Sequence, residues 1–161
     1  MVTGYGVIDS DGRDSRYIAH GSIELGQLEM ADRLALIHKK LTDVIAQWSP
    51  EEAAIEEVFM SRNAASALKL GQARGAAIAA CMVNRVQVHE YAARLVKQAL
   101  VGSGSATKEQ VKHMMMRLLN IRGRMQEDAG DALAIAICHG HSRMHRYNQV
   151  IVKRAAVRRR S

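Results

Sequence analysis

Residues 54–75 read AIEEVFMSRNAASALKLGQARG. Together with Ala53, the stretch as far as Phe59 is a short apolar run broken by Glu56 and Glu57, the pattern of a buried strand that carries carboxylates near its end. Carboxylates there need a reason, because a charge leaves water at a high cost unless something pairs with it. From Asn63 to about Met82 the composition turns to Ala, Gly and Leu, which predicts a helix whose backbone comes close to a neighbour, a second subunit being one such neighbour.

On the N-terminal side, Val2 to Ile8 alternates and is rich in Val, Thr, Tyr and Ile before the turn Asp9-Ser10-Asp11-Gly12. Arg16 to Leu25 follows as a second strand of an antiparallel hairpin. Met30, Leu34, Ile37, Leu41, Val44 and Trp48 then mark one helix stripe, which Ser49-Pro50 ends. On the C-terminal side, Val86 to Tyr91 reads as a strand and Ala92 to Leu100 as the start of a helix. A Gly-Ser break follows, and Thr107 with Gln110 caps a helix that places Met114 to Met116 as core filling. Asp128 opens a last helix through Ala132, Ile135 and Ala136. The order predicts an α/β domain with a mixed sheet flanked by helices over residues 1–141, and a basic, flexible tail over 142–161.

A chain of 161 residues with 48% apolar composition suits one domain. No apolar run approaches the ~20 residues of a membrane span, and the N-terminus lacks signal-peptide features, so a cytoplasmic location is expected. Cys81 and Cys138 have no metal-ligand or disulfide spacing and read as reduced thiols. The net charge of +7 is sorted by segment: residues 1–57 carry 5 Lys/Arg against 11 Asp/Glu, residues 58–126 carry 11 against 2, and residues 127–161 carry 7 against 3. Such sorting suits a protein that holds a polyanion on one surface and divalent metal on another. A solvated surface with accidental clustering is the plainer reading.

Glu56 on its strand, with Asp128 and Asp131 at a helix head, forms the constellation with chemical potential. Spacing by three puts both aspartates on one helical face. Converging carboxylates call for a hard cation that takes oxygen ligands, magnesium or manganese, and two such ions can clamp the oxygens of a phosphodiester during hydrolysis. Helix capping by Asp128 and a favourable dipole contact for Asp131 would account for that pair without any metal. His139 and His141 resemble an H-x-H metal pair, but positions i and i+2 of a helix do not face each other, so no metal role is assigned to them. Tyr5 and Tyr91 read as packed aromatics.

The segments VTGYGVI, AIEEVFMSRNAASALKLGQARG, EYAARLVKQALVGSGSATKEQVKHM and DAGDALAIAICH resemble, in order, the RuvC family of bacterial Holliday-junction resolvases. The resemblance implies a ribonuclease-H-like fold, a homodimer, and magnesium-dependent paired nicking of four-way DNA junctions at symmetric positions, in recombination and repair. It implies two Mg2+ per subunit, with Mn2+ able to substitute, and handover from the RuvA and RuvB branch-migration machine. Carried over residue by residue, the family's catalytic and metal-binding carboxylates fall on Glu56, Asp128 and Asp131. The aromatic at the junction centre falls on Phe59, which as the only Phe of the chain could equally be core. The lysines beside the phosphates fall on Lys97 and Lys108. Arg62, Lys69, Arg74, Arg94 and Lys112 are further DNA-binding candidates from the basic segment.

Members of that family begin with a strand and turn resembling IxGIDPGS immediately before TGYG, and its aspartate is the first catalytic carboxylate. Here Met1 stands directly before Val2-Thr3-Gly4-Tyr5-Gly6. The expected sheet therefore lacks its first central strand, which leaves backbone groups on both sides without that partner. Asp9 and Asp11 fall in a hairpin turn, where aspartate is already favoured for its bonds to the backbone, so their presence there is no ground for assigning them that role. A start assigned too late, a shortened N-terminus and a natural non-cleaving relative are the competing accounts. Junction binding without cleavage is accordingly the alternative function, and an RNA-processing enzyme on the same fold is a third reading that the VFM and KLGQARG segments disfavour.

Overall fold

The computed structural model describes the backbone of residues 2–57 and 63–158, with side chains as far as Arg143. Phe59 and Arg62 lie outside the described residues. The chain opens with β1 (Val2–Ser10) and β2 (Ser15–Glu24), paired antiparallel from Val2↔Glu24 to Ser10↔Ser15 with a bulge at Val7/Ile8. Asp11 builds the turn. Its Oδ1 accepts the backbone N–H groups of Arg13 and Asp14, both at 2.8 Å, and Gly12 takes a φ of 96° that only glycine adopts freely. Asp9 accepts a 3.2 Å bond from the Arg16 guanidinium.

α1 (Met30–Trp48) buries Ile37 and ends at Ser49 in the left-handed region, just before Pro50. β3 (Glu52–Glu56) then leads to α2 (Ala64–Val83), capped where Asn63 accepts the Ser66 N–H, and to β4 (Gln87–Tyr91), which pairs parallel to β3. α3 (Ala93–Val101) precedes α4 (Lys108–Leu118), whose start carries the full Thr107/Gln110 capping box. α5 (Glu127–Arg158) supplies Leu133, Ala134, Ile137 and Cys138 to a core that also holds Tyr91, Val96, Leu100, Met115 and Leu119. Met114 and Met116 pack against that core. Where the sequence reading places a tail from residue 142, the backbone stays helical to Arg158, in an arginine-rich stretch that holds no Gly or Pro after Gly140.

The mixed sheet is present as two halves. β1 pairs only with β2, and β3 only with β4, among the described residues. Between the halves lies a cavity of about 1270 Å³, lined by β1 from Thr3 onward, by Glu52 to Ile55 of β3, and by Ala132, Ala136, His139 and Gly140 of α5. Among the described residues no strand pairs with the outer edges of either half.

α5 seats on β1 through glycines. A Cβ at Gly4 would run into the backbone carbonyl of Asp128, one at Gly6 would meet the Leu133 side chain at 2.6 Å, and Gly140 faces Ser10 at the far end. The twelve residues from Asp128 to Gly140 span about 18 Å of helix, so the Asp9–Asp11 turn lies at the opposite end of the contact from Asp128. Replacing Gly4 with Ala should push the head of α5 off β1 and cost about 1–3 kcal/mol. A thermal melt checks this, and an unchanged midpoint would contradict the seating.

Candidate active site

Glu56 is the last residue of β3, held by the parallel ladder to β4 and by the Arg74 Nε, which donates to its carbonyl at 3.2 Å. The same guanidinium forms an ion pair with Glu90 of β4. Arg74, a DNA-binding candidate by sequence, is therefore engaged in fixing the end of β3. Glu57 leaves the strand, its N–H donating to the Tyr91 carbonyl at 2.9 Å. Asp128 and Asp131 occupy the beginning of α5, where the helix dipole favours negative charge.

The charges of these carboxylates are coupled. Partial loss of water raises the Glu56 pKa above its ordinary value, the Asp131 charge raises it further, and Lys108 pulls it down. Asp131 is likewise raised, first by desolvation, with Glu127 and Asp128 adding to the rise and Lys108 opposing it. Lys108, the first residue of α4, sets its Nζ 2.7 Å from Glu127 Oε1 and 3.8 Å from Asp131 Oδ2. The Glu127 hydrogen bond, then Asp131, raise the pKa of this exposed ammonium and hold it charged.

The structure thus couples Glu56, Asp131 and Lys108, with Asp128 acting on Asp131, but it does not bring the three carboxylates within 4.8 Å of one another. Lys112, exposed one turn further along α4, is near enough to act on Glu127 and Asp131. Lys69 stands exposed on α2, Lys97 is half-buried on α3, and the Arg94 stem passes over Gly104. Sequence reasoning missed Glu127 as the partner of Lys108, and it missed the seat at Gly4 and Gly6. The Gly-x-Gly spacing in a strand, which puts both glycines on one face, was the available signal.

The raised pKa of Glu56 has a consequence for stability. Above that pKa the ionised carboxylate costs the folded state, and the cost disappears once pH falls below the ordinary carboxylate value, where folded and unfolded chains are both protonated. Glu56→Gln should therefore raise the melting temperature of the metal-free protein at neutral pH and leave it unchanged in strong acid. A lower neutral-pH midpoint than the parent chain would contradict the coupling.

The sequence profile described as "Crossover junction endodeoxyribonuclease RuvC" matches residues 1–139. A protein of that name from Marinobacter nauticus is 54% identical over 140 residues, covering 87% of this chain and 80% of the relative. Another, from Idiomarina loihiensis, is 48% identical over 165 residues, covering 99% and 90%. The solved structure "Thermus thermophilus RuvC structure" superposes with a TM-score of 0.79 at 32% identity, covering 90% of this chain and 97% of that one. "T. thermophilus RuvC in complex with Holliday junction substrate" superposes with a TM-score of 0.81 at 31% identity, covering 90% and 96%. The α/β, ribonuclease-H-like fold anticipated from the sequence is the one observed, and on the profile match and these identities the chain belongs to the RuvC family of crossover junction endodeoxyribonucleases.

Proposed function

We propose that residues 1–141 carry a metal-dependent endonuclease activity that resolves four-way DNA junctions by paired, symmetric nicks. The observation that carries this reading is the coupling of Glu56 with Asp131, on which Asp128 acts and beside which Lys108 stands. The junction-bound relative supports the substrate. An all-oxygen donor set in which the Asp131 charge raises the Glu56 pKa and Asp128 raises that of Asp131 fits a hard divalent cation, and Glu56, Asp128 and Asp131 would hold Mg2+ or Mn2+. When bound, such ions activate water and stabilise charge on the phosphodiester oxygens.

The chain's own groups do the positioning. Arg74 fixes the carbonyl of Glu56, and the seat at Gly4 fixes the backbone of Asp128. Lys108 is poised to turn from Glu127 to a phosphate oxygen, with Lys97 and Lys112 extending the phosphate contacts and Phe59 stacking on an unpaired base. The outer face of α2 presents Leu68, Gly71, Gly75, Ala79 and Met82 at helical spacing, exposed, and Gly71 and Gly75 have open space above them. This face is our candidate for the homodimer contact that pairs the two nicks. RuvA and RuvB are the partners expected on the junction. Among the described residues no helix is long and apolar enough to cross a membrane, and we place the activity in the cytoplasm.

A chain starting at Met1 brings three of the four carboxylates that the family resemblance implies, and the cavity between β1 and β3 is where a strand carrying the fourth would pair. The 161-residue chain should bind four-way junctions but nick them far more slowly than a version preceded by an IxGIDPGS-like strand. That strand with Asn for its Asp should recover stability without cleavage. Equal nicking by the chain starting at Met1 and by the Asp version would show that three carboxylates suffice. Binding without nicking in every version would favour the junction-binding alternative.

Lys108→Ala should weaken junction binding and flatten the slope of log K against log salt by about 0.9. Titrations at several salt concentrations check this. An unchanged slope with unchanged affinity would remove Lys108 from the contact.

A further inference from the structure

A second cluster of ligating side chains lies apart from the carboxylates. Glu52 begins β3, His89 sits in β4, and His139 lies on α5, and one donor atom from each falls within 4.8 Å of the other two. Glu52 and Glu56 are four strand residues apart, about 13 Å, and Asp131 and His139 eight helical residues apart, about 12 Å. The two clusters therefore occupy opposite ends of the same pair of elements.

The donors are prearranged. His139 Nε2 lies 2.7 Å from Glu52 Oε2, and His89 Nε2 lies 3.8 Å from Glu52 Oε1. These separations straddle the distance of about 3.4 Å between neighbouring ligands of a tetrahedral zinc ion. The two imidazoles stack with centroids 4.7 Å apart. The Tyr91 hydroxyl lies 2.8 Å from His139 Nδ1, the kind of outer contact that aims the opposite ring nitrogen at a metal. All three residues line the cavity between the half-sheets, which supplies an entry path. Arg143 is half-exposed and shared between Glu51 and Glu52, at 3.6 and 3.4 Å, and it can turn wholly to Glu51 when an ion takes Glu52.

We propose that Glu52, His89 and His139 form a binding site for a zinc-class transition-metal ion, separate from the carboxylate set at the other end of β3. Imidazole donors select zinc, copper, nickel or iron over magnesium. The ion would staple β3, β4 and α5 beside the cavity. Its fourth position would be open to water.

Calorimetric titration of the 161-residue chain with zinc should give one site per chain that survives in the double variant Glu56→Gln/Asp131→Asn. The same site should give the intense visible bands of tetrahedral cobalt and raise the melting temperature when filled. Glu52→Gln should abolish it. Tyr91→Phe removes the outer contact while keeping the ring in the core, and it should weaken zinc binding by about 10–100-fold; it carries the test if Glu52→Gln does not fold. Absence of binding in the parent chain, loss of the site in the Glu56/Asp131 double variant, or undiminished binding in folded Glu52→Gln or Tyr91→Phe would overturn the proposal.

Discussion

The close approach of α5 to β1 is the constraint on which the rest of the molecule depends. It is possible only because Gly4 and Gly6 present no side chain on the face that the helix covers. α5 also packs against β2, β3, β4, α3 and α4, so it is the common partner of both half-sheets and of the helical layer. Glycine in a strand interior normally weakens the strand. Here that loss is set against the burial of Ala129, Leu133, Ala134 and Ile137, none more than 3% exposed.

The site inherits its geometry from this packing. Asp128 is positioned by its backbone, pressed against β1, while Glu56 comes from the other half-sheet and is held by β4 and Arg74. Side chains brought together from separate elements in this way carry like charge, and the fold tolerates them at the cost expressed in the raised pKa values of Glu56 and Asp131. Lys108 offsets part of that cost. It sits where it does because Thr107 and Gln110 close a capping box that fixes the first turn of α4. A local capping rule thus places a cation in a site assembled by long-range packing.

Most elements were legible in the sequence because each obeys a strong local rule: alternation in β1 and β2, the three-four stripe of α1, the capping box of α4. Glu56 stood out because a carboxylate in a short apolar run needs a reason, although the structure leaves it exposed at the end of β3, and Asp128 with Asp131 stood out through the family resemblance and a spacing that shares a helix face. The cluster around His139 was not. A rule confined to one helix asks whether His139 and His141 face each other, whereas the partners of His139 come from Glu52, His89 and Tyr91 on two other elements. Arg74 was read only as a DNA-binding candidate for the same reason, since its partners Glu56 and Glu90 lie on neighbouring strands. The helical continuation past residue 142 was hidden by charge. A basic composition reads as a tail, yet lysine, arginine and alanine are all good helix formers.

The two half-sheets share no hydrogen-bonded ladder among the described residues, so the relation of β3 to β1 is set by what both pack against. Ladder hydrogen bonds fix register to a fraction of a residue, whereas side-chain packing between layers is more compliant. The repulsion between Glu56 of β3 and Asp131 of α5 therefore acts across a packing contact rather than within a ladder. Positive charge at that interface consequently bears on structure as well as on chemistry: Lys108 draws the two carboxylates toward a common point, and a divalent cation would do so more strongly.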